Sequence, residues 1–218
     1  MLLEDSHIYP YIKEYLEEIP VIKASKGEII SKAENTDKQI YYILLGTVKI
    51  ECISTYGKKV LVDIISENEF AGQISYMRKF NFYSDCIAET DVELLFISNG
   101  IMSVLMKGYE FSTFFYFKTS SRVYQMYKKM LMNNLFNQNE LVSYYIVNQS
   151  NEDKFIYKSI YDMCEKLNIS RRSLYNILNN LEKNDVIEKE QNGIFLIRDI
   201  DYLIKDSCKV KAFLENEY

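Results

Sequence analysis

The sequence predicts an α+β chain with an N-terminal antiparallel β-roll, a long helix and a C-terminal winged helix-turn-helix. Three observations carry that reading. Short alternating strands broken by turns run between Ile22 and Ser98, a helical stretch extends from about Phe111 to Phe136, and Tyr157 to Ile197 reads as two short helices, a tight turn and a hairpin. The expected boundaries are residues 1–110 for the roll, 111–137 for the helix and 138–218 for the winged domain.

In the front half, Ile40 to Ile53 is a β-branched and aromatic run with Gly46 at a bend, and Tyr56-Gly57 turns the chain into Val60 to Ile65. Two paired strands are expected there. After Asn68 to Gly72 comes a short segment around Ile74 to Phe80, then a last strand pair spanning Cys86 to Ile97. Strands of this length and spacing suggest a compact antiparallel barrel or jelly roll.

The long helix carries Phe115, Thr119, Val123, Met126 and Met130 at spacings of four, four, three and four, a coiled-coil-like seam. A second row, Phe117, Tyr124, Leu131 and Leu135, makes it apolar on more than one side. A core helix packed on the roll would explain one side; the other is expected to meet a second copy, giving a homodimer.

In the C-terminal part, Ile160, Met163 and Leu167 recur at helical spacing, as do Leu174, Ile177, Leu178 and Leu181, so each helix has one apolar face to bury. Ser170 stands where the second helix begins and can cap it. At about 100° per residue, Arg171, Arg172, Tyr175, Asn176 and Asn179 fall on the side away from the leucines, and Ser173 shares the first turn. A guanidinium forks onto guanine O6 and N7, Asn pairs with adenine, and a helix N-terminus binds phosphate. Asn192-Gly193 is a strong hairpin signal, and Lys183 and Lys189 add cations near the helix and wing. A lone helix of this kind would read as a solvated surface helix; helix, turn, helix and wing in order make it a DNA reader.

Composition bounds the alternatives. With 48% hydrophobic and 26% charged residues and only 2 Pro and 7 Gly in 218, the chain describes one or two ordered domains. A net charge of −5 and a pI near 5.2 argue against a general nucleic-acid coat protein. From Gln138 onward eleven Lys and Arg face fourteen Asp and Glu, so DNA binding must come from local placement of charge. Met1 to Pro10 carries Glu4 and Asp5 rather than a basic leader, and no apolar run approaches the ~20 residues of a membrane helix, so a cytoplasmic location and no membrane partner are expected. Cys52, Cys86, Cys164 and Cys208 are widely separated, suggesting reduced thiols rather than a disulfide framework or zinc ribbon. His7, the sole histidine, leaves no set of ligands for a metal.

In order and length these parts resemble the Crp/Fnr family of transcription regulators, named for the cyclic-AMP receptor protein and the fumarate-nitrate regulator. Tyr41-Tyr42-Ile43-Leu44-Leu45-Gly46-Thr47-Val48 looks like the family's strand-Gly-strand signature, Asn68-Glu69-Phe70-Ala71-Gly72 like its G-D-F-x-G turn, and Ser170-Arg171-Arg172-Ser173 like the start of its recognition helix. The overall impression is similar to a divergent branch that includes YeiL-like regulators. The resemblance implies a cyclic-nucleotide-binding-domain-like roll, promoter DNA with an inverted-repeat site, a homodimer, and RNA polymerase as a partner.

It also implies where an effector would sit, and there the chain departs from the family. The Glu that would follow the turn is Gln73, and the Arg-Ser pair that would hold a cyclic phosphate falls on Tyr83-Ser84 or Phe82-Tyr83. A buried phosphate requires paired charge, so no tight cyclic-AMP binding is expected; Arg78 and Lys79 a few residues earlier could in principle substitute, but a solvated loop is the reading preferred for them. With no cysteine before Cys52, an iron-sulfur cluster is not expected either. No cofactor is expected and the effector is unknown: an apolar or aromatic-lined one remains, or none at all with control by protein level or by a thiol, and its pocket would include Gln73, Phe82, Tyr83 and Ser84. Two other functions are weighed against the regulator. A cupin-like enzyme on a similar roll lacks the histidines its metal needs, and no nucleophile motif is present, so no enzyme is expected. The remaining alternative is a Crp-like interaction module that has lost DNA binding.

Overall fold

The computed structural model describes residues 3–33, 39–54, 56–57, 59–77 and 84–215. It divides into two units, Met1–Met126 and Tyr127–Tyr218.

In the first unit, α1 (Tyr9–Ile12) precedes β1 (Val21–Ala24), β2 (Ile29–Ser31), β3 (Ile40–Leu45), β4 (Val48–Ile53), β5 (Lys59–Ile65) and β6 (Phe70–Ala71). After these come α2 (Gln73–Met77), β7 (Ser84–Ala88), β8 (Val92–Ile97), α3 (Asn99–Leu105) and the start of α4 (Tyr109–Leu135). The strands form two antiparallel sheets, ordered β1-β8-β3-β6 and β2-β7-β4-β5.

The expected pairing of the Ile40–Ile53 run with Val60–Ile65 holds for β4 and β5, but the run itself is two strands in different sheets. The segment Cys86–Ile97 is corrected in the same way: β7 pairs with β4 and β2, while β8 pairs with β3 and β1. Two stacked corners make both crossings. Gly46 has φ +85°, and a Cβ there would lie 2.3 Å from Asp91 O, so only glycine lets the corners approach. Thr47 N–H donates to Thr90 Oγ1 at 2.9 Å and Glu89 N–H to Thr47 O at 2.9 Å. Alternation along a strand predicts a half-buried surface but not the partner across it, which is why sequence periodicity sees strands and misses the sheet to which each belongs.

The roll has two apolar clusters. Tyr41, Ile43, Val48, Ile65, Cys86 and Leu94 fill the space between the sheets. Tyr42, Phe70, Leu95 and Ile97 pack outward on α1, α3 and the first turns of α4, where Phe70 meets Phe111, Phe114 and Phe115 edge-on at ring separations of 5.0–6.4 Å. The expected boundary at residue 110 moves accordingly: α4 starts as part of the roll's core, so the division between units falls inside this helix.

The second unit contains the end of α4 and then α5 (Gln138–Gln149), β9 (Ser150–Asn151), β10 (Lys154–Ile156), α6 (Ile160–Leu167) and α7 (Arg171–Lys183). The wing strands β11 (Ile187–Gln191) and β12 (Ile194–Ile197) and the helix α8 (Ile200–Glu215) complete it. Asn137 starts α5 through a capping box: its side chain accepts from Glu140 N–H at 3.0 Å, and the Glu140 carboxylate accepts from Asn137 N–H at 2.9 Å. The wing sheet is ordered β11-β12-β10-β9, and Phe155 and Phe195 on it join Met163, Leu174, Leu178 and Leu203 in one core. No helix among the described residues is long and apolar enough to cross a membrane.

Candidate functional site

In the second unit, α6 ends at Leu167, Asn168 takes the left-handed conformation (φ +53°) that Asn tolerates, and buried Ile169 leads into Ser170. The Ser170 hydroxyl accepts from Ser173 N–H at 3.0 Å, capping α7. From that start, Leu174, Ile177, Leu178 and Leu181 are buried, and Arg171, Arg172, Tyr175, Asn176 and Asn179 are exposed on the other side. Burying four leucine-like side chains fixes the helix's rotation and leaves the polar side free.

The Arg171 guanidinium lies over the Tyr161 ring, 4.2 Å from its centroid. The ring face restrains a long side chain that would otherwise sample many rotamers. Arg172 makes no ion pair among the described residues.

A groove of about 570 Å3 opens between α7 and the wing; Lys158, Ser159, Tyr175, Asn179, Lys189 and Asn192 line it. The acids flanking Lys189 are occupied elsewhere: Arg198 Nε donates to Glu188 at 2.7 Å, and Lys154 Nζ lies 3.2 Å from Glu190. Local placement therefore offsets part of the acidic balance. Lys183 is not part of this groove. It sits in the last turn of α7, ~18 Å along the axis from Arg171 at 1.5 Å per residue. Sequence reasoning missed Lys158 and Tyr161: Lys158 precedes α6, where helical periodicity says nothing, and Tyr161 reads only as an exposed helix residue.

The seam residues separate. Phe115 is fully buried in the roll, Thr119 is buried with its hydroxyl donating to Phe115 O at 2.8 Å, and Met126 lines the roll's cavity. Val123 and Met130 are about half exposed. Phe115 and Met126 are thus corrected: Phe115 is buried in the roll, and Met126 lines its cavity. Two successive steps of four residues turn the face by ~80° at 100° per residue, so Phe115 and Val123 do not share a side. The exposed row at alternating steps of four and three is Tyr116, Ser120, Val123, Tyr127 and Met130, with Phe117 and Tyr124 beside it.

The cavity, of about 170 Å3, lies within the first unit, between the sheets and the inner face of α4. Ile50, Val62, Ile65 and Ala71 give it an apolar wall, and Gln73, Ser84, Cys86 and Asp63 add polar groups. Gly72 positions Gln73: at φ +88° its absent Cβ would lie 2.1 Å from Gln39 O, so the turn is drawn tightly against the neighbouring strand. Gln73 is 3% exposed. Burial pushes the Cys86 thiol up to about 12, and burial, with Cys86 beside it, pushes the Tyr41 phenol up to about 12, so both stay protonated.

Of the expected pocket residues, Gln73 and Ser84 come together here; Phe82 and Tyr83, like Arg78 and Lys79, lie outside the described residues. Sequence reasoning missed a cation reaching this wall from α4. Arg122 Nε donates to Asp63 Oδ2 at 2.6 Å, and its Nη2 donates to Asp63 Oδ1 and Ile64 O. Lys118, one turn earlier, bonds Glu69 at 2.9 Å. The signal was present: Lys118, Arg122 and Met126 stand four apart, and Asp63 is a lone acid in an apolar strand.

The family model for the cyclic nucleotide-binding domain matches residues 21–109, the segment that forms the roll. A search of curated proteins finds no match. Among solved structures, a protein described as a transcriptional regulator of the Crp/Fnr family from Eubacterium rectale is 14% identical, with a TM-score of 0.72 over 91% of this chain and 94% of that one. The c-di-GMP responsive global regulator CLP of Xanthomonas campestris is 13% identical, with a TM-score of 0.69 over 86% and 98%. A Crp/Fnr-family transcriptional regulator from Thermus thermophilus is also 13% identical, with a TM-score of 0.64 over 86% and 98%. The structural neighbours share the fold over nearly the whole chain.

Proposed function

We propose that this chain, which carries a cyclic nucleotide-binding domain and the fold of Crp/Fnr-family regulators, is a sequence-specific DNA-binding transcription regulator. The observation that carries the reading is α7, with one face buried, its start capped by Ser170, and Arg171, Arg172, Tyr175 and Asn176 exposed beside a wing groove. An exposed helix of this width fits the major groove, where these side chains read base edges while Lys189, Ser170 and Ser173 hold phosphates. Lys183, at the far end of α7, meets only backbone. The exposed row on α4 supports a homodimer, and two-fold symmetry then calls for palindromic promoter sites with half-sites about one DNA turn apart. The family resemblance adds contact with RNA polymerase at the promoter.

Cyclic AMP does not control this regulator. Arg122 beside the cavity is already satisfied by Asp63, Gln73 stands where an acid for the ribose would be expected, and the space falls below the ~300 Å3 at which ordinary ligand pockets begin. Selection of bound genomic DNA by the purified protein at stated salt, with and without cyclic AMP, tests both parts. A palindromic motif enriched without the nucleotide is expected; enrichment only with it would overturn the cyclic-AMP reading. The acidic balance of residues 138–218 favours a second reading, a protein-interaction module that no longer binds DNA, and absence of any enrichment would select it.

A further inference from the structure

We propose that Tyr161 is a positioning residue for base reading: its ring presets the Arg171 guanidinium to fork onto one guanine of each half-site. This rests on the reading of α7 as a recognition helix and adds to it a residue of α6 that itself touches no base.

The ring is placed by the backbone rather than by the core. Ile160, Met163 and Leu167 turn one side of α6 inward, and the Ser159 hydroxyl accepts from Asp162 N–H at 3.0 Å to fix the first turn. Tyr161 follows Ile160 by ~100° around the helix and is 57% exposed, outside the core cluster. What it meets is Arg171, whose Cζ lies 4.2 Å from the ring centroid. Both partners stand in capped first turns, Tyr161 two residues after Ser159 and Arg171 one after Ser170. Two fixed helix starts therefore set ring and guanidinium against each other.

The choice of a ring over an acid is the second argument. A carboxylate would also restrain the arginine, but it takes N–H donors, as Asp63 does from Arg122. A ring attracts the cation through its π face and leaves the edge of the fork open for guanine O6 and N7. The acid next to Tyr161, Asp162, lies 2.9 Å from Lys166 Nζ, and Arg171 has no acid partner among the described residues. Arg171 is thus ordered without being neutralised.

Ordering matters because a free arginine gives up rotamer freedom when it forks onto a base. A cation over an exposed ring is favoured by about two- to fivefold in an equilibrium constant. That gain reaches discrimination when the preset conformer is the one that reads. Arg172, one residue on, is exposed with no ring contact among the described residues, and it supplies the internal comparison.

The test begins with a site selected by the purified protein, each guanine of which is replaced in turn by 7-deazaguanine, which lacks the N7 acceptor. The guanine whose replacement weakens the parent but not Arg171→Ala is the one that Arg171 reads. At that position Tyr161→Leu should lose about two- to fivefold of the preference for guanine over adenine, with other positions unchanged, and Tyr161→Phe should keep the parent's value. Tyr161→Leu should cost nothing more in an Arg171→Ala background and its full loss in an Arg172→Ala background. In the free protein, NMR should find the Arg171 side-chain protons shifted upfield by the ring in the parent and in Tyr161→Phe, and not in Tyr161→Leu. A loss in Tyr161→Phe, or an equal loss at every position, would make the hydroxyl a phosphate contact and overturn the positioning role. Unchanged discrimination in Tyr161→Leu on a selected site would overturn this inference alone, whereas failure to select any site, with the ring shift present, would overturn the regulator reading and this inference with it.

Discussion

Arg171 and Arg172 stand exposed at the start of α7 and Lys189 lines the groove beside the wing, whereas in the roll Arg122 is held by both oxygens of Asp63 against a small apolar cavity. The two regions use the same cationic chemistry to opposite ends. A polyanion gains affinity from cations whose counterions it displaces, so a DNA-reading surface leaves them available. A cation packed against an apolar interior needs its charge cancelled, because an unpaired buried ion is costly. Exposure and pairing, rather than residue type, distinguish the sites.

The sharpest way to break this comparison is to remove the cations of the first region. Each of Arg171 and Arg172, if it forks onto a base, is worth about 1–3 kcal/mol, so Arg171→Ala with Arg172→Ala should lower affinity for a selected palindrome by about 10²- to 10⁴-fold. Fluorescence anisotropy at fixed salt measures it. Unchanged affinity would mean that the reading surface lies elsewhere.

Alkaline pH should act on the roll instead. The folded roll raises the Cys86 thiol from 9.0 to about 12, so it keeps a proton that the unfolded chain gives up. Stability from this group is complete below pH 9 and is lost as pH climbs toward 12, at about 1 kcal/mol per pH unit. Denaturant melts at pH 8, 9 and 10 should show a steeper loss in the parent protein than in Cys86→Val. Cys208→Ser, at an exposed position, should follow the parent. Equal slopes in all three would show that Cys86 is not the group responsible.

Much of this contrast was legible before any coordinates, but unequally. The winged helix could be read nearly residue by residue because its information is local: caps, a leucine face and a two-residue turn lie within 41 consecutive positions, Tyr157 to Ile197. The roll is non-local. Arg122 and Asp63 are 59 residues apart, and β3 and β8 pair across a separation that alternation cannot encode. The seam on α4 failed for a related reason: a helix apolar on two sides does not announce which side the rest of the chain covers, and Phe115 turned out to belong to the roll.

Uncancelling the roll's charge sharpens the comparison from the other side. Asp63→Asn leaves Arg122, 18% exposed at its side chain, without its anion. A charged hydrogen-bonded pair of this kind contributes about 1.5–3 kcal/mol, so a loss of that size is expected in urea unfolding. Stability within ~0.5 kcal/mol of the parent, a change ordinary for surface sites, would show that the pair is incidental.

On α4, the exposed row predicts that Val123→Glu separates the copies while Phe115 stays in place. The apparent mass by sedimentation should halve, and affinity for a two-half-site DNA should fall about tenfold or more, since linked half-sites normally gain that much. An unchanged mass would mean that this row does not hold two copies together.

Lys189→Ala should have the smallest effect and the most diagnostic one. A lysine that contacts only phosphate weakens all sequences similarly and lowers the slope of log affinity against log salt by about 1. The flanking Glu188 and Glu190 are held by Arg198 and Lys154, so removing Lys189 does not expose new bare acids, and the slope change isolates one phosphate contact. A loss confined to one sequence, with the salt slope unchanged, would instead make Lys189 a base reader and move the recognition surface from α7 toward the wing.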